Sequence, residues 1–408
     1  MTRLSAAWVA LVLVGVAAAQ PPAAPGVPDA DLKSVVDGNN AFALDLYRGV
    51  SERAGGNVVL SPYSVASALA MTTAGARGKT AEEMAAALHV TLPPERFHPA
   101  QAALARALQT SGGGAAELRV ANALWRQRGF AVRDDFLRLT RDHYGAGLRE
   151  VDFVADPERA RQAINAWVGE ETRGKIPNLL TGRDVSADTR LVLTNAVYFK
   201  AAWHTSFPKD LTADDTFRVT PNRTVPVRMM NGTVFCRGRE VGGVKVVALP
   251  YRGAGQSMVL VVPNNPDGLA AVERALSPDA LRVWFAAGLC EARLALPVFR
   301  ARERLPLGGV LGEMGMRLPF GIDPDFGGVA EADRLQLEAV VHEATIEVDE
   351  TGAEAAAATA VVTRRPISAV KQPSRPPALV VRADRPFLYL IRDNPTGAVL
   401  FVGRVTNP

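Results

Sequence analysis

Between Val340 and Arg365 the chain reads VVHEATIEVDETGAEAAAATAVVTRR, and this stretch restricts the possible folds more than any other. From His342 to Asp349 the residues alternate. His342, Ala344, Ile346 and Val348 fall on one face and Glu343, Thr345, Glu347 and Asp349 on the other, the pattern of a strand with one buried side. After Glu350 and Thr351 the chain carries nothing bulky: Gly352, Ala353, Glu354, Ala355, Ala356, Ala357, Ala358, Thr359, Ala360, Val361 and Val362. A short helix or a low-complexity linker is the plain reading of such an alanine run. Continuing the strand gives another. With Glu354 facing water, Ala353, Ala355, Ala357, Thr359 and Val361 all face inward, and none is large or charged. Such a segment fits equally in solvent as a loop or inside a sheet as an added strand.

The rest of the chain is consistent with one globular domain and offers little else. Of 408 residues, 48% are hydrophobic and 22% charged, and the net charge of +4 comes without a basic cluster, which argues against nucleic acid. Arg3, the apolar run Leu4–Val16 and Ala17-Ala18-Ala19 have the layout of a secretory signal over residues 1–19, too short to span a membrane comfortably. A Pro-rich linker over 20–31 and a single domain over 32–408 follow. The expected product is exported, soluble and monomeric, free of membrane. Cys236 and Cys290 are the only cysteines, too few for a disulfide framework, and their pairing is left open. Asn222-Arg223-Thr224 and Asn231-Gly232-Thr233 are glycosylation sequons. Gly78-Lys79-Thr80 fails as a phosphate loop because Thr73 stands where the first glycine belongs; Thr80 and Glu83 instead read as a helix capping box. No zinc-protease, nucleophile-elbow or Cys-x-x-Cys motif is present, so neither an enzyme nor a metal or cofactor is expected.

Several separated motifs resemble one family. NVVLSPYS (57–64) followed by GARGKT (75–80), LVLTNAVYFKAAW (191–203), MGMRLPF (314–320), DETGAEAAAATAVV (349–362) and RADRPFLYLIRDNPTGAVLFVGRVTNP (382–408) are similar, in order, to the serpins, the protease inhibitors that work by loop insertion. The resemblance implies the serpin α+β fold: a large mostly antiparallel sheet, smaller sheets, about eight or nine helices and an exposed reactive-centre loop, here about 350–376. It implies a suicide substrate. A target serine protease, or a papain-like cysteine protease, cleaves the loop and forms an acyl-enzyme. The freed hinge then inserts as a strand, and the covalent complex is trapped. Inserting ~15 residues at ~3.3 Å each carries the protease about 50 Å.

By the same resemblance Glu350, Gly352, Ala353, Glu354, Ala355, Ala356, Ala357, Ala358 and Thr359 form the hinge. Ser61, Ser64, Asn195 and His342 lie beneath the sheet as a polar group that controls its opening, and Trp203 marks the mouth where the loop enters. The helix beginning near Ile164 is expected across the sheet face. Counting from Glu350 lands on Pro366 and counting back from RADRPF lands later. Ile367-Ser368 is therefore the first choice for the cleaved bond, suited to an elastase-like or subtilisin-like pocket. Arg364-Arg365 is second, suited to a trypsin-like one, and Lys371-Gln372 third. Val298 departs from the family, which often has a lysine there to pair with the acid at Glu350. The competing class is a non-inhibitory serpin acting as carrier, chaperone or storage protein, and the small-residue hinge argues against it.

Overall fold

The computed structural model describes residues 26–111, 116–145, 148–330, 335–353 and 378–408. Two sheets and, among these residues, nine α-helices make an α+β architecture. The larger sheet runs Val58–Leu60, Val399–Val405, Phe387–Asp393, Gln256–Pro263, Val244–Pro250, Arg223–Val241, Leu289–Pro297 and Leu379–Arg382, with Ala213–Thr220 paired onto Arg223–Val241. The six-stranded sheet has the order Phe299–Pro306, Ala339–Val348, Gly352–Ala353, Leu191–Ala202, Ala116–Gln127, Leu148–Val151. Most pairings are antiparallel. One exception matters below: Ala339–Val348 runs parallel to Leu191–Ala202, from Ala339 opposite Val192 to Thr345 opposite Tyr198.

Local chemistry sets the elements around this sheet. Ser61 caps the helix Pro62–Thr73 by accepting from the Ser64 N–H, and Pro62 occupies the first turn, where its missing N–H costs nothing. The helix Pro157–Glu171 starts at the Asp156 cap and lies across the sheet. Its Ile164 and Val168, with Ile176, Leu179 and Leu180 beyond it, cover Ala121, Ala123, Val192, Ala196 and Val341.

Three expectations need correction. The linker expected over 20–31 is shorter, because the first helix already begins at Asp29, where Asp29 and Asp31 lie at the positive end of the helix dipole. Thr80 and Glu83 do not cap; they lie within the helix Gly78–Ala87. Thr80 Oγ1 accepts from the Asp325 N–H (2.9 Å), and the Glu83 carboxylate accepts from the N–H groups of Arg317 and Leu318 (2.8 and 2.6 Å), so a distant loop has claimed both side chains. The strand at 339–348 is buried on both faces. The helix Pro157–Glu171 and the segment after it cover the side expected to face water. Glu343 survives burial there because Arg302 Nε donates to its carboxylate at 2.6 Å.

Candidate functional site

The site is the seam between Ala339–Val348 and Leu191–Ala202, and three sets of contacts hold it, at the mouth, the middle and the foot. At the mouth the chain leaves Val348 and turns through Asp349, Glu350 and Thr351. The Asp349 carboxylate organises this turn by accepting from Thr351 N and Oγ1 (both 2.7 Å) and from Gly352 N (3.1 Å). Trp203 reads the turn from the neighbouring strand. Its ring N–H donates to the Asp349 carbonyl (2.9 Å), its backbone N–H to the Thr351 carbonyl (2.8 Å), and the Phe207 N–H donates to the Glu350 carbonyl (2.9 Å). Tyr251 stacks on the Trp203 ring at 4.7 Å and fixes its plane.

Beyond the turn, Gly352 and Ala353 slide between the two long strands, antiparallel to both. Gly352 pairs with Ala202, and Ala353 pairs with Ala201 on one side and Val348 on the other. Glycine is required at 352, since a Cβ there would lie 2.1 Å from the Ala201 carbonyl oxygen. Ala353 is fully buried against the core. The chain has therefore begun a new strand in the middle of the sheet.

In the middle of the seam the two strands are joined side chain to side chain. His342 and Asn195 are register partners, and His342 Nδ1 hydrogen-bonds Asn195 Oδ1. His342 Nε2 accepts from the Ser61 N–H (3.0 Å), which makes the ring neutral with its proton on Nδ1. Asn195 Nδ2 donates to Ser64 Oγ (2.6 Å) and to Asn122 Oδ1, and Asn122 Nδ2 donates to the Ser64 carbonyl (3.2 Å). Ser61 Oγ donates to the Leu400 carbonyl (2.7 Å). Complete burial pushes the His342 pKa down to about 3, so the ring stays neutral at ordinary pH. A network this buried is tolerable only because nearly every donor and acceptor in it is used.

At the foot, Thr189 Oγ1 donates to the Glu338 carboxylate (2.7 Å), tying the starts of the same two strands. Along the far edge Arg300 pairs with Glu347 (2.9 Å), and Arg304 Nε donates to the Leu179 carbonyl (2.6 Å).

Ser61, Ser64, Asn195 and His342 thus lie in one cluster, with Trp203 separately at the mouth beside Glu350, Gly352 and Ala353. Sequence reasoning missed Asn122; its only sequence signal is a single polar residue within the apolar run Val120–Trp125. Val298, half-buried against the core, offers Glu350 no charge. The remaining hinge residues Glu354, Ala355, Ala356, Ala357, Ala358 and Thr359 lie outside the described residues, as do the cleavage candidates Arg364, Arg365, Pro366, Ile367 and Ser368 and the Lys371-Gln372 pair.

A family model described as Serpin (serine protease inhibitor) matches residues 37–408. An uncharacterised serpin-like protein of Thermococcus kodakarensis is 40% identical over 377 residues, covering 92% of this chain and 86% of that protein. The leukocyte elastase inhibitor of Sus scrofa is 37% identical over 384 residues, covering 91% and 98%. Among solved structures, Serpin48 of the insect Tenebrio molitor superposes with a TM-score of 0.81 at 30% identity, covering 93% of this chain and 99% of that one.

Proposed function

Because this chain belongs to the serpin family, we propose that it inhibits a serine protease as a suicide substrate, trapping the acyl-enzyme by inserting its cleaved loop at the seam. One observation carries the reading: Gly352 and Ala353 already pair inside the sheet, between strands that further down pair with each other. A strand continuing from Ala353 runs antiparallel to both neighbours. It replaces one parallel contact by two antiparallel ladders, each new net hydrogen bond contributing about 1 kcal/mol.

The register of Gly352–Ala353, extended one residue at a time, gives each hinge residue its flanks. Ala355 falls between Phe199 and Ile346, Ala357 between Val197 and Ala344, and Val361 between Leu193 and Val340, all core positions. Thr359, the one polar residue on this face of the hinge, falls between Asn195 and His342. Insertion must break the bond between those two side chains, and Thr359 brings a hydroxyl to the same place. The polar cluster then acts as a latch that opens for one strand and closes on it. The inward positions meet closely packed core side chains, so small uncharged residues suit them.

The cleavage site is Ile367-Ser368 in this reading, and the target a protease with an apolar pocket. The elastase inhibitors among the relatives support testing elastase first. We further propose that residues 1–19 direct export and that inhibition takes place outside the cytoplasm. The N-terminal mass of the protein recovered outside the cells tests this. The central experiment titrates elastase, chymotrypsin, trypsin and subtilisin with the protein. A denaturing gel and the mass of the C-terminal fragment then read the result. A covalent complex near one-to-one supports trapping, and the fragment mass gives the bond. Clean cleavage without complex by every protease, with no gain in heat stability, overturns it in favour of a non-inhibitory serpin.

A further inference from the structure

The only two cysteines of the chain are 54 positions apart in sequence, yet Cys236 and Cys290 lie directly opposite each other on the antiparallel strands Arg223–Val241 and Leu289–Pro297. The Gly238 N–H donates to the Gly288 carbonyl (2.8 Å) in the same register. The pair two steps away, Cys236 and Cys290, is then also a hydrogen-bonded pair, whose Cα separation of about 5.5 Å suits a disulfide but whose Cβ atoms must draw together for the bond to close. As direct cross-strand partners, both side chains lie on the same face of the sheet. Gly238 makes room for this, since a Cβ there would come within 2.9 Å of Cys290 Sγ and equally close to Leu379. Cys236 is buried in the core and Cys290 is partly open to solvent, which gives a reagent one way in.

We propose that Cys236 and Cys290 are a redox-active pair, closed to an intramolecular cross-strand disulfide by a dithiol-disulfide oxidant such as glutathione disulfide. The Cys290 thiolate attacks one sulfur of the oxidant. The oxidant's S–S bond breaks, one glutathione leaves, and Cys290 is held as a mixed disulfide. Cys236, directly opposite on the neighbouring strand, then attacks Cys290 Sγ and expels the second glutathione. Two thiols are oxidised to one disulfide, one glutathione disulfide is reduced to two glutathiones, and the two thiol protons end on these. Burial holds both thiols above the usual cysteine range, so they rest as thiols and the closure is slow.

The bond would act on the loop's return platform. Leu379–Arg382, where the chain re-enters the sheet just after the loop, is among the described residues an edge strand paired with Leu289–Pro297 alone, beginning at Leu379 opposite Ala292. Tying Leu289–Pro297 to Arg223–Val241 beside Leu379 stiffens the strand that carries this edge.

The test treats the full chain with glutathione disulfide and follows intact mass, free thiols after denaturation, and hydrogen exchange. The expected result is a monomer lighter by two hydrogens with no free thiol, restored by reductant, with slower exchange over 379–382. Cys236→Ser should stop at a mixed disulfide on Cys290, and Cys290→Ser should not react. A wild-type chain that keeps both thiols, accumulates the glutathione adduct or dimerises through Cys290 overturns the pairing. Closure without slower exchange overturns the stiffening of the platform.

Discussion

Arginine at position 357 separates insertion from the fold that precedes it. Ala353 already belongs to the uncut sheet, so a charge there disturbs the starting state as well. In the proposed insertion, Ala357 gains its sheet partners as the strand extends. The register then sets it between Val197 and Ala344, both fully buried, on a face whose neighbours are apolar. An unpaired guanidinium in such surroundings costs several kcal/mol. If only about 2 kcal/mol of this is felt when insertion is rate-limiting, the step slows about 30-fold. Hydrolysis of the acyl-enzyme then wins, and the protein is consumed as a substrate. The matched control is Glu354→Arg, since position 354 falls between Lys200 and Glu347, both partly open to solvent. Protease activity titrated against each variant should show near one-to-one inhibition for wild type and Glu354→Arg. Ala357→Arg should need many molecules per protease inactivated and give mostly cleaved, uncomplexed chain on a denaturing gel. One-to-one trapping by Ala357→Arg would refute both the register and the insertion mechanism.

Further consequences can be checked on the uncut protein. His342 is held at a pKa of about 3, below its unfolded value, so the unfolded chain takes up the proton first. The stability it supplies is complete above pH 6.5 and falls towards pH 3, by on the order of 4 kcal/mol. His98, pushed down to about 4 by burial, contributes in the same window, so the measurement is the difference in denaturant midpoint between wild type and His342→Gln across pH 7 to 4. The variant should show the shallower dependence. Gly352→Ala should expel the 352–353 segment from the sheet, seen as loss of hydrogen-exchange protection at Ala353, because no Cβ fits beside the Ala201 carbonyl. Arg302→Met leaves the Glu343 carboxylate buried without its partner and should cost about 2–3 kcal/mol in urea unfolding, the low end because Arg302 is half-exposed. Equal stability of this variant and wild type would show that water or another cation reaches Glu343.

Much of this was legible before any coordinates. The alternation at 342–349, the cap at Ser61 and the β-rich run 191–203 are local signals, and the structure has the corresponding elements. What escaped was set by distant segments. Nothing near Glu343 announces that residues beyond the helix Pro157–Glu171 will cover its face, and Thr80 and Glu83 fit a capping box until the loop at 317–325 takes their side chains. Asn122 joins the polar cluster only because its strand pairs with Leu191–Ala202, putting it opposite Asn195. The facing of Cys236 and Cys290 depends on strand register in the same way.

The order of strands in the larger sheet also bears on how the molecule can be made. Phe387–Asp393 and Val399–Val405 are made after the other described strands, yet they lie between Val58–Leu60 and Gln256–Pro263, with Val58 opposite Arg404. Until these two strands emerge, Val58–Leu60 lacks the strand it pairs with and one edge of Gln256–Pro263 stays open to other chains, although its other edge can already pair with Val244–Pro250. Folding of this topology waits for these late strands and is expected to be slow. Loss of Val399–Val405 alone would strip Val58–Leu60 of the strand it pairs with and expose Phe387–Asp393 as a new edge, far more damaging than its size suggests.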